Sequence, residues 1–450
     1  GGPLGPLGYI FGNFSQEKIR GMVNGNVLVP QASERTPLTT DPERRPIVQR
    51  YLAAYPDELP NRTDIDPRAL NTNAPQRIDV TTVDLRLDKN INQTRRVSLF
   101  HELGRTTIDA FQLVAGQNPD TEIHTHRSRA ALYQELAGGG MLELGFTFQR
   151  TKSVLKSEPN AVGPRVRLAR QIEELGPSGQ FPIDRAQNTF SWAGVFTKTM
   201  GSGRHTLTLG GSLTRLQLNG YETNDLRGRF NFTNAFGRSA IENLLYGTPS
   251  RYDFTLGNVH RGFRNWHVDF FFGDRWQLHP RLQFYYGLNY SLETTPTEVN
   301  NLNKLPYSCD CNNFSPRLAL AYRLGSAWVT RASYNLSFGP ILPVTYSQIR
   351  NNLPLVQRFV LQEPDLVNPL GNIDLSDPGT RVALVRMSPD LVSPYSHQYN
   401  WTFEKRFANQ YLLRFGYLGS RTFKLFHPFF TNRAEVVPGI PLTRSTIDKR

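Results

Sequence analysis

The chain has 450 residues, a formal charge of +13, 38% hydrophobic residues and a negative mean hydropathy. No run approaches the roughly 18 consecutive apolar residues of a membrane-crossing helix, so no such helix is expected within these residues. Arg and Lys are dispersed rather than gathered into one basic patch, which argues against a nucleic-acid partner. A β-barrel with a polar lumen and polar loops remains compatible with all three facts.

In chain order, Gly1-Gly2-Pro3-Leu4 opens the sequence with no basic stretch leading into an apolar one, so no signal peptide is visible. A long connection is expected from Ser15 to Arg77. Within it, RPIVQRYLAAYPDELPNRTD mixes aromatics with arginine. Arg50, Tyr51 and Tyr55 are candidate ligand contacts there, because aromatic faces and guanidinium donors suit sugars and acidic ligands. The competing reading is a loop that packs on itself. Short turns follow at Lys89 to Gln93 and Ala137 to Gly140. His124 and His126 share one face of a strand between them, with no third metal ligand evident nearby.

Leu142, Leu144, Phe146 and Phe148 then alternate with Glu143, Gly145, Thr147 and Gln149. Phe190, Trp192 and Phe196 oppose Thr189, Ser191 and Thr197, and Leu207, Leu209 and Leu213 oppose Thr206, Thr208, Ser212 and Thr214. Long connections are expected at Lys152 to Gln187 and Leu218 to Arg264. Helices are expected in them at Arg165 to Leu175 and Ser239 to Tyr246. A tight turn is expected at Met200 to Arg204.

The clearest alternation comes next. Trp266, Val268, Phe270, Phe272, Trp276 and Leu278 oppose His267, Asp269, Phe271, Gly273, Arg275 and Gln277. After a turn at His279 to Arg281, Leu282, Phe284, Tyr286, Leu288, Tyr290 and Leu292 oppose Gln283, Tyr285, Gly287, Asn289 and Ser291. Period two over this length means strands with one apolar face, about twice as long as the five or six residues usual in soluble proteins. Trp266 and Trp276 share the apolar face ten positions apart. At about 3.3 Å rise and about 45° tilt they stand roughly 23 Å apart along the membrane normal, the spacing of two aromatic girdles.

Cys309-Asp310-Cys311 lies in the expected long connection Glu293 to Phe314, either as free thiols or as a local staple. With no second cysteine pair, a structural metal is not expected. A further turn at Leu324 to Ala327, a long connection from Gly339 to Pro394 and a turn at Ala408 to Gln410 complete the pattern. Tyr395, Tyr399, Trp401 and Phe403 form an apolar parity; Tyr411, Leu413, Phe415 and Tyr417 form one opposed imperfectly by Leu412, Arg414 and Gly416. The expected fold is all-β: a partial antiparallel transmembrane barrel of outer-membrane type, about a dozen spanning strands, with long extracellular loops. Trp266, Trp276, Phe270, Phe284, Tyr290 and Trp401 are expected to face lipid. Arg275, Gln283, Arg331, Asn335 and Arg414 are expected on the lumen side as candidate substrate contacts. Outer-membrane lipid and lipopolysaccharide are the expected surroundings. No Gly-x-Ser-x-Gly elbow, phosphate-binding loop or His-Glu-x-x-His is present, so no catalytic residue, cofactor or metal is expected.

Several ordered phrases are similar to TonB-dependent outer-membrane receptors. They include GGPLGPLGYIFGNFSQEKIRG, RHTLTLGGSLTRLQLNG and RGRFNFTNAFGRSAIENLLYGTPS. The strongest is FFFGDRWQLHPRLQFYYGLNYSLE, with Asp274, Trp276, Pro280, Arg281, Leu282, Gly287, Leu288 and Tyr290. NNFSPRLALAYRL and SPYSHQYNWTFEKRFANQYLLRFGYLGSRTFKL continue in the same order. The resemblance is closest to the Oar-like group, whose complete members carry an N-terminal carboxypeptidase-regulatory-like domain and a plug. It implies uptake of a bulky nutrient (a glycan, peptide or metal chelate) driven by the TonB–ExbB–ExbD system. No TonB box, plug or closing aromatic strand is visible, so residues 1–450 are expected to be a portion of the barrel. The alternative function is an outer-membrane surface or adhesion protein that transports nothing.

Overall fold

The computed structural model describes residues 1–450 other than 158–161, 170, 223–224, 372–383, 408–409, 432–434 and 442–450. In chain order the strands begin with β1 (Gly2–Pro3), β2 (Tyr9–Leu28), β3 (Ala69–Asn92), β4 (Arg95–Asp109), β5 (Pro119–Leu136) and β6 (Gly140–Ser157). They continue with β7 (Arg165–Leu168), β8 (Ile183–Met200), β9 (His205–Glu222), β10 (Arg229–Phe232), β11 (Arg251–Gly257), β12 (Arg261–His279) and β13 (Leu282–Glu293). The last are β14 (Thr297–Glu298), β15 (Asp310–Leu324), β16 (Trp328–Phe338), β17 (Val356–Gln362), β18 (Tyr395–Phe407) and β19 (Tyr411–Phe423). Three helices, α1 (Arg44–Leu52), α2 (Ala240–Tyr246) and α3 (Pro343–Ser347), lie in the long connections.

Among the described residues, the long strands pair antiparallel with their chain neighbours in the order β2-β3-β4-β5-β6-β8-β9-β12-β13-β15-β16-β18-β19. These are thirteen strands against the expected dozen. Within the described residues, β19 pairs only with β18 and nothing joins it to β2. The register places the alternating faces as expected. Phe270 opposes Tyr290, Trp276 opposes Phe284, and on the other parity Asp269 opposes Ser291 and Arg275 opposes Tyr285. Phe270 is 51% exposed and Leu288 44%, so the apolar face packs against no protein and is the surface that lipid covers.

Aromatic rings mark both edges of that face. Toward the long connections, Phe148 and Phe190 meet at 5.0 Å, and Trp192 lies 6.4 Å from Trp266. Toward the short turns, Trp276 stacks on His205 at 5.3 Å and Trp328 meets Phe403 at 4.8 Å. Tyr290 packs on Phe314 and Trp401 on Phe415, on the same face. One carboxylate shares it. Asp274 is 1% exposed because His205 Nδ1 (2.7 Å) and the Tyr286 hydroxyl (3.0 Å) close over it. Polar groups in a lipid-facing wall are best satisfied internally; both partners bond Oδ2, while the buried Oδ1 accepts no hydrogen bond among the described residues.

The long connections are shorter than expected because the strands run on beyond the apolar band. The connection placed at Ser15 to Arg77 is only 29–68, since Ser15–Leu28 remains paired with Ala69–Thr82. Outside lipid both faces of a strand are polar, so the period-two signal vanishes while the ladder persists. Arg165 to Leu175 is not a helix. Arg165–Leu168 is a strand, parallel to β10, with Val166 and Leu168 fully buried while Arg165 and Arg167 both pair with Glu174. The helix expected at Ser239 to Tyr246 is present. Ser239 caps it in a reciprocal box with Glu242, and Gly247 ends it at φ 67°.

The long connections fold together. A second sheet, in the order β17-β11-β10-β7, packs with α1 and α2 around a core that includes Val48, Tyr51, Phe232, Leu244, Phe254 and Phe359. A smaller cluster centres on Phe263, with Leu305, Tyr307, Ile341 and Tyr346. The wall therefore carries a folded cap on its long-loop side.

Candidate functional site

Two surfaces gather chemistry. On the polar face of β13, β15, β16 and β18, a recess of about 260 Å³ is lined by Gln283, Tyr285, Arg331, Ser333, Asn400 and Thr402. The register explains this grouping, since Gln283 opposes Ala321, Ala321 opposes Arg331, and Arg331 opposes Thr402. Small side chains on β15 between the larger ones leave the hollow. At its edge Glu404 receives Arg331 Nη1 at 2.6 Å and Arg414 Nε at 2.8 Å. Two of the expected lumen arginines thus converge on one carboxylate.

Arg275 lies one strand away, opposite Tyr285, exposed and with no hydrogen bond or ion pair among the described residues. Asn335 opposes Arg317 and Gln398, and its buried Oδ1 accepts no hydrogen bond. Of the five, the recess holds Gln283 and Arg331. Arg414 joins through Glu404, and Arg275 and Asn335 flank it. Phe271, an aromatic on the polar parity, has its ring over Gly210, and the Tyr285 ring covers the opposed pair Gly273 and Gly287. Aromatic cover of strand glycines accounts for both.

The second surface is in the cap. A cavity of about 560 Å³ opens at the end of the small sheet, lined by Arg167, Asn231, Thr233, Asn234, Arg251 and Glu363 among others. That volume falls within the range usual for ligand sites. Beside it, buried Asp253 receives Arg229 at 3.0 Å, Arg251 at 2.9 Å and Asn231 at 2.8 Å. These partners fix Asn231 and Arg251 at the cavity wall. No sequence signal pointed here, because the lining comes from separate connections that meet only through the small sheet.

The expected contacts in the first long connection divide. Arg50 is exposed on α1, but Tyr51 is 2% exposed and Tyr55 3%. Burial pushes both phenols upward in pKa, Tyr55 with Glu173 and Glu174 adding to it. The Tyr55 hydroxyl donates to the Glu173 carbonyl at 2.7 Å. Tyr51 and Tyr55 therefore serve the core of the cap and present no ligand surface. The sequence pattern that suits sugar stacking also suits an aromatic core, and here packing uses it.

Elsewhere, His124 Nε2 lies 2.9 Å from Glu122, which also receives Arg105 at 2.8 Å. No group of three metal-ligating side chains occurs among the described residues. Cys309 and Cys311 are joined as a disulfide.

No curated protein matches this sequence. Among solved structures, the alcaligin outer-membrane receptor of Bordetella pertussis is similar over 96% of this chain and 52% of its own, at 12% identity and TM-score 0.45. A mutant ferric enterobactin receptor of Pseudomonas aeruginosa is similar over 92% and 53%, at 11% identity and TM-score 0.48. The ferric yersiniabactin uptake receptor of Yersinia pestis is similar over 93% and 55%, at 11% identity and TM-score 0.47. The chain spans about half the length of these structures. The model of the outer membrane beta barrel domain matches residues 10–306 and 301–449. With a lipid-facing aromatic-edged wall, short turns on one side and a folded cap on the other, the chain belongs to that outer-membrane β-barrel family and resides in the bacterial outer membrane.

Proposed function

We propose that residues 1–450 are the barrel portion of a TonB-dependent receptor of the Oar-like group that imports a bulky nutrient. The observation that carries this reading is the pairing of two polar surfaces on one wall. The cap cavity lies on the long-loop side, and the Gln283–Arg331 recess lies on the face turned away from lipid. A ligand held first by Arg167, Asn231, Arg251 and Glu363 would meet Arg275, Gln283, Arg331, Asn335 and Arg414 on its way inward. Arg50, exposed on α1, adds a cation to the cap surface. Guanidinium and amide groups of this kind bind the hydroxyls and carboxylates of glycans, peptides and chelates. Coupling to TonB–ExbB–ExbD would act through a plug and TonB box outside these residues. The reading assigns no catalytic residue and no cofactor.

A second reading, a surface protein that transports nothing, is favoured by one feature. The cap has its own core and its own sheet, as a domain that binds partners would. One experiment separates the two. A strain lacking the native gene is compared with its complemented parent for uptake of labelled oligosaccharides, oligopeptides and ferric chelates, with and without a protonophore. Loss of protonophore-sensitive uptake of one class supports import. Unchanged uptake of all three, with altered cell-to-cell adhesion, overturns it in favour of the surface reading.

A further inference from the structure

The lipid-facing parity changes character along one cross-strand row. Arg150 on β6 opposes Asn188 on β8, Asn188 opposes Gln217 on β9, and Gln217 opposes Arg264 on β12. One step toward the short turns, the same face reads Phe148, Phe190, Arg215 and Trp266, again in direct register. The row is thus a polar shelf on top of an aromatic edge, on the long-loop side of the membrane.

Its side chains are organised. Arg150 Nη1 donates to Asn188 Oδ1 at 2.9 Å, and Asn188 Nδ2 to Gln217 Oε1 at 3.3 Å. Arg264 is held by the carbonyl of Phe263 at 2.8 Å and by Asn219 Oδ1 at 2.7 Å. The Arg215 guanidinium lies over the Trp266 ring at 4.9 Å. Arg215 is the diagonal cross-strand neighbour of Arg264, close enough for the two like charges to repel.

None of these three arginines has a carboxylate partner among the described residues, and the contrast with their surroundings is sharp. Several other cations of the same outward parity are paired: Arg20 with Asp79 at 2.6 Å, Arg105 with Glu122 at 2.8 Å, Lys152 with Asp184 at 3.8 Å. Three uncompensated guanidinium groups therefore meet the membrane at the level where lipid headgroups begin. Arg150 and Arg264 stand three strands apart, about 14 Å at the usual strand spacing.

We propose that Arg150, Arg215 and Arg264 form a binding site for the phosphate groups of the outer-leaflet glycolipid, lipopolysaccharide, whose acyl chains lie along Phe148, Phe190, Trp192 and Trp266. Charge complementarity selects this occupant. Guanidinium groups bind phosphate by charge-assisted hydrogen bonds, and the lipid A disaccharide carries a phosphate at each end, which a row of this width can bridge. An aromatic shelf directly below accommodates the chains of the same molecule. Arg20, Arg105 and Lys152 are already matched by carboxylates and do not extend the site.

The test uses the 450-residue chain purified in detergent. Binding of diphosphorylated lipid A is compared with that of its dephosphorylated form and of phosphatidylglycerol, by native mass spectrometry and by Trp266 fluorescence. The expected result is preferential binding of the diphosphorylated lipid, weakened about tenfold in Arg215→Gln and in Arg264→Gln. Arg215→Lys would retain part of it, and Arg105→Gln, whose native arginine is already paired, none of the loss. Heat-modifiable gel migration checks that each variant folds. Equal binding of the phosphorylated and dephosphorylated lipids overturns the proposal, as does equal weakening by Arg105→Gln. Preference for phosphatidylglycerol would also overturn it, assigning the arginines to general headgroup attraction.

Discussion

Replacing Phe270 by arginine tests the orientation of the whole wall. Phe270 lies four residues from Trp266 and six from Trp276 on β12. With about 3.3 Å rise and about 45° tilt, that is about 9 Å below one girdle and about 14 Å above the other. The site is near the bilayer midplane. An arginine on the lipid face there costs about 2–4 kcal/mol. Taking about 3 kcal/mol, the folded-to-unfolded ratio in a vesicle refolding titration falls by about two orders of magnitude at fixed urea. Asn289→Arg is the matched control. Asn289 opposes Phe271, one residue away and on the other parity, so its change should stay within about 0.5 kcal/mol. Both are measured by urea-dependent folding into vesicles, read by heat-modifiable migration. Equal costs at the two positions, or a larger cost at Asn289, would mean that the apolar parity does not face lipid.

Two carboxylates of the cap should give opposite pH responses. Burial pushes Glu298 upward, but the amides of Gly262, Leu302 and Asn300, with Arg261, outweigh it and hold its pKa below 4.5. Its stabilisation is present above pH 4.5 and lost as pH falls through the folded value, and Glu298→Gln should abolish that acid-side loss in hydrogen exchange of the cap. Burial and neighbouring Glu174 hold Glu173 above 4.5. Its penalty grows as pH rises from 4.5 through the folded value, so Glu173→Gln should protect the cap more at pH 7 than at pH 4; the reverse order would refute the assignment. Tyr55→Phe removes the bond to the Glu173 carbonyl and should cost about 1 kcal/mol in limited proteolysis of the cap, leaving lipid-dependent folding of the wall unchanged. At Gly210 a Cβ would stand 2.7 Å from the Gly194 carbonyl oxygen and collide with Phe271. Gly210→Val should therefore cost about 1–3 kcal/mol in the vesicle titration, and a neutral result would remove Phe271 from its covering role.

What was legible in the sequence follows where the physics is periodic. Lipid imposes one apolar face, so β12 and β13 announce themselves through Trp266 to Leu278 and Leu282 to Leu292, and every girdle residue falls on the outward parity. Above the membrane that constraint ends. β2 and β3 continue for many residues as a polar ladder, and nothing in Ser15–Leu28 reports its pairing. The same loss hides the cap. Arg165–Leu168 is too short to carry a period, and its place in the small sheet depends on β10, over sixty residues later. Tyr51 and Tyr55 were legible as aromatic residues near arginine but not as core, because burial there is decided by α2 and the small sheet rather than by their neighbours in sequence. The lumen arginines show the reverse. Parity alone placed Arg331 and Arg414 on the polar face, and the register then brought both to Glu404. A site whose members share a strand parity can thus be read from sequence up to its partners. A site assembled from loops, such as the Arg167–Arg251–Glu363 cavity, becomes visible only once distant connections have packed.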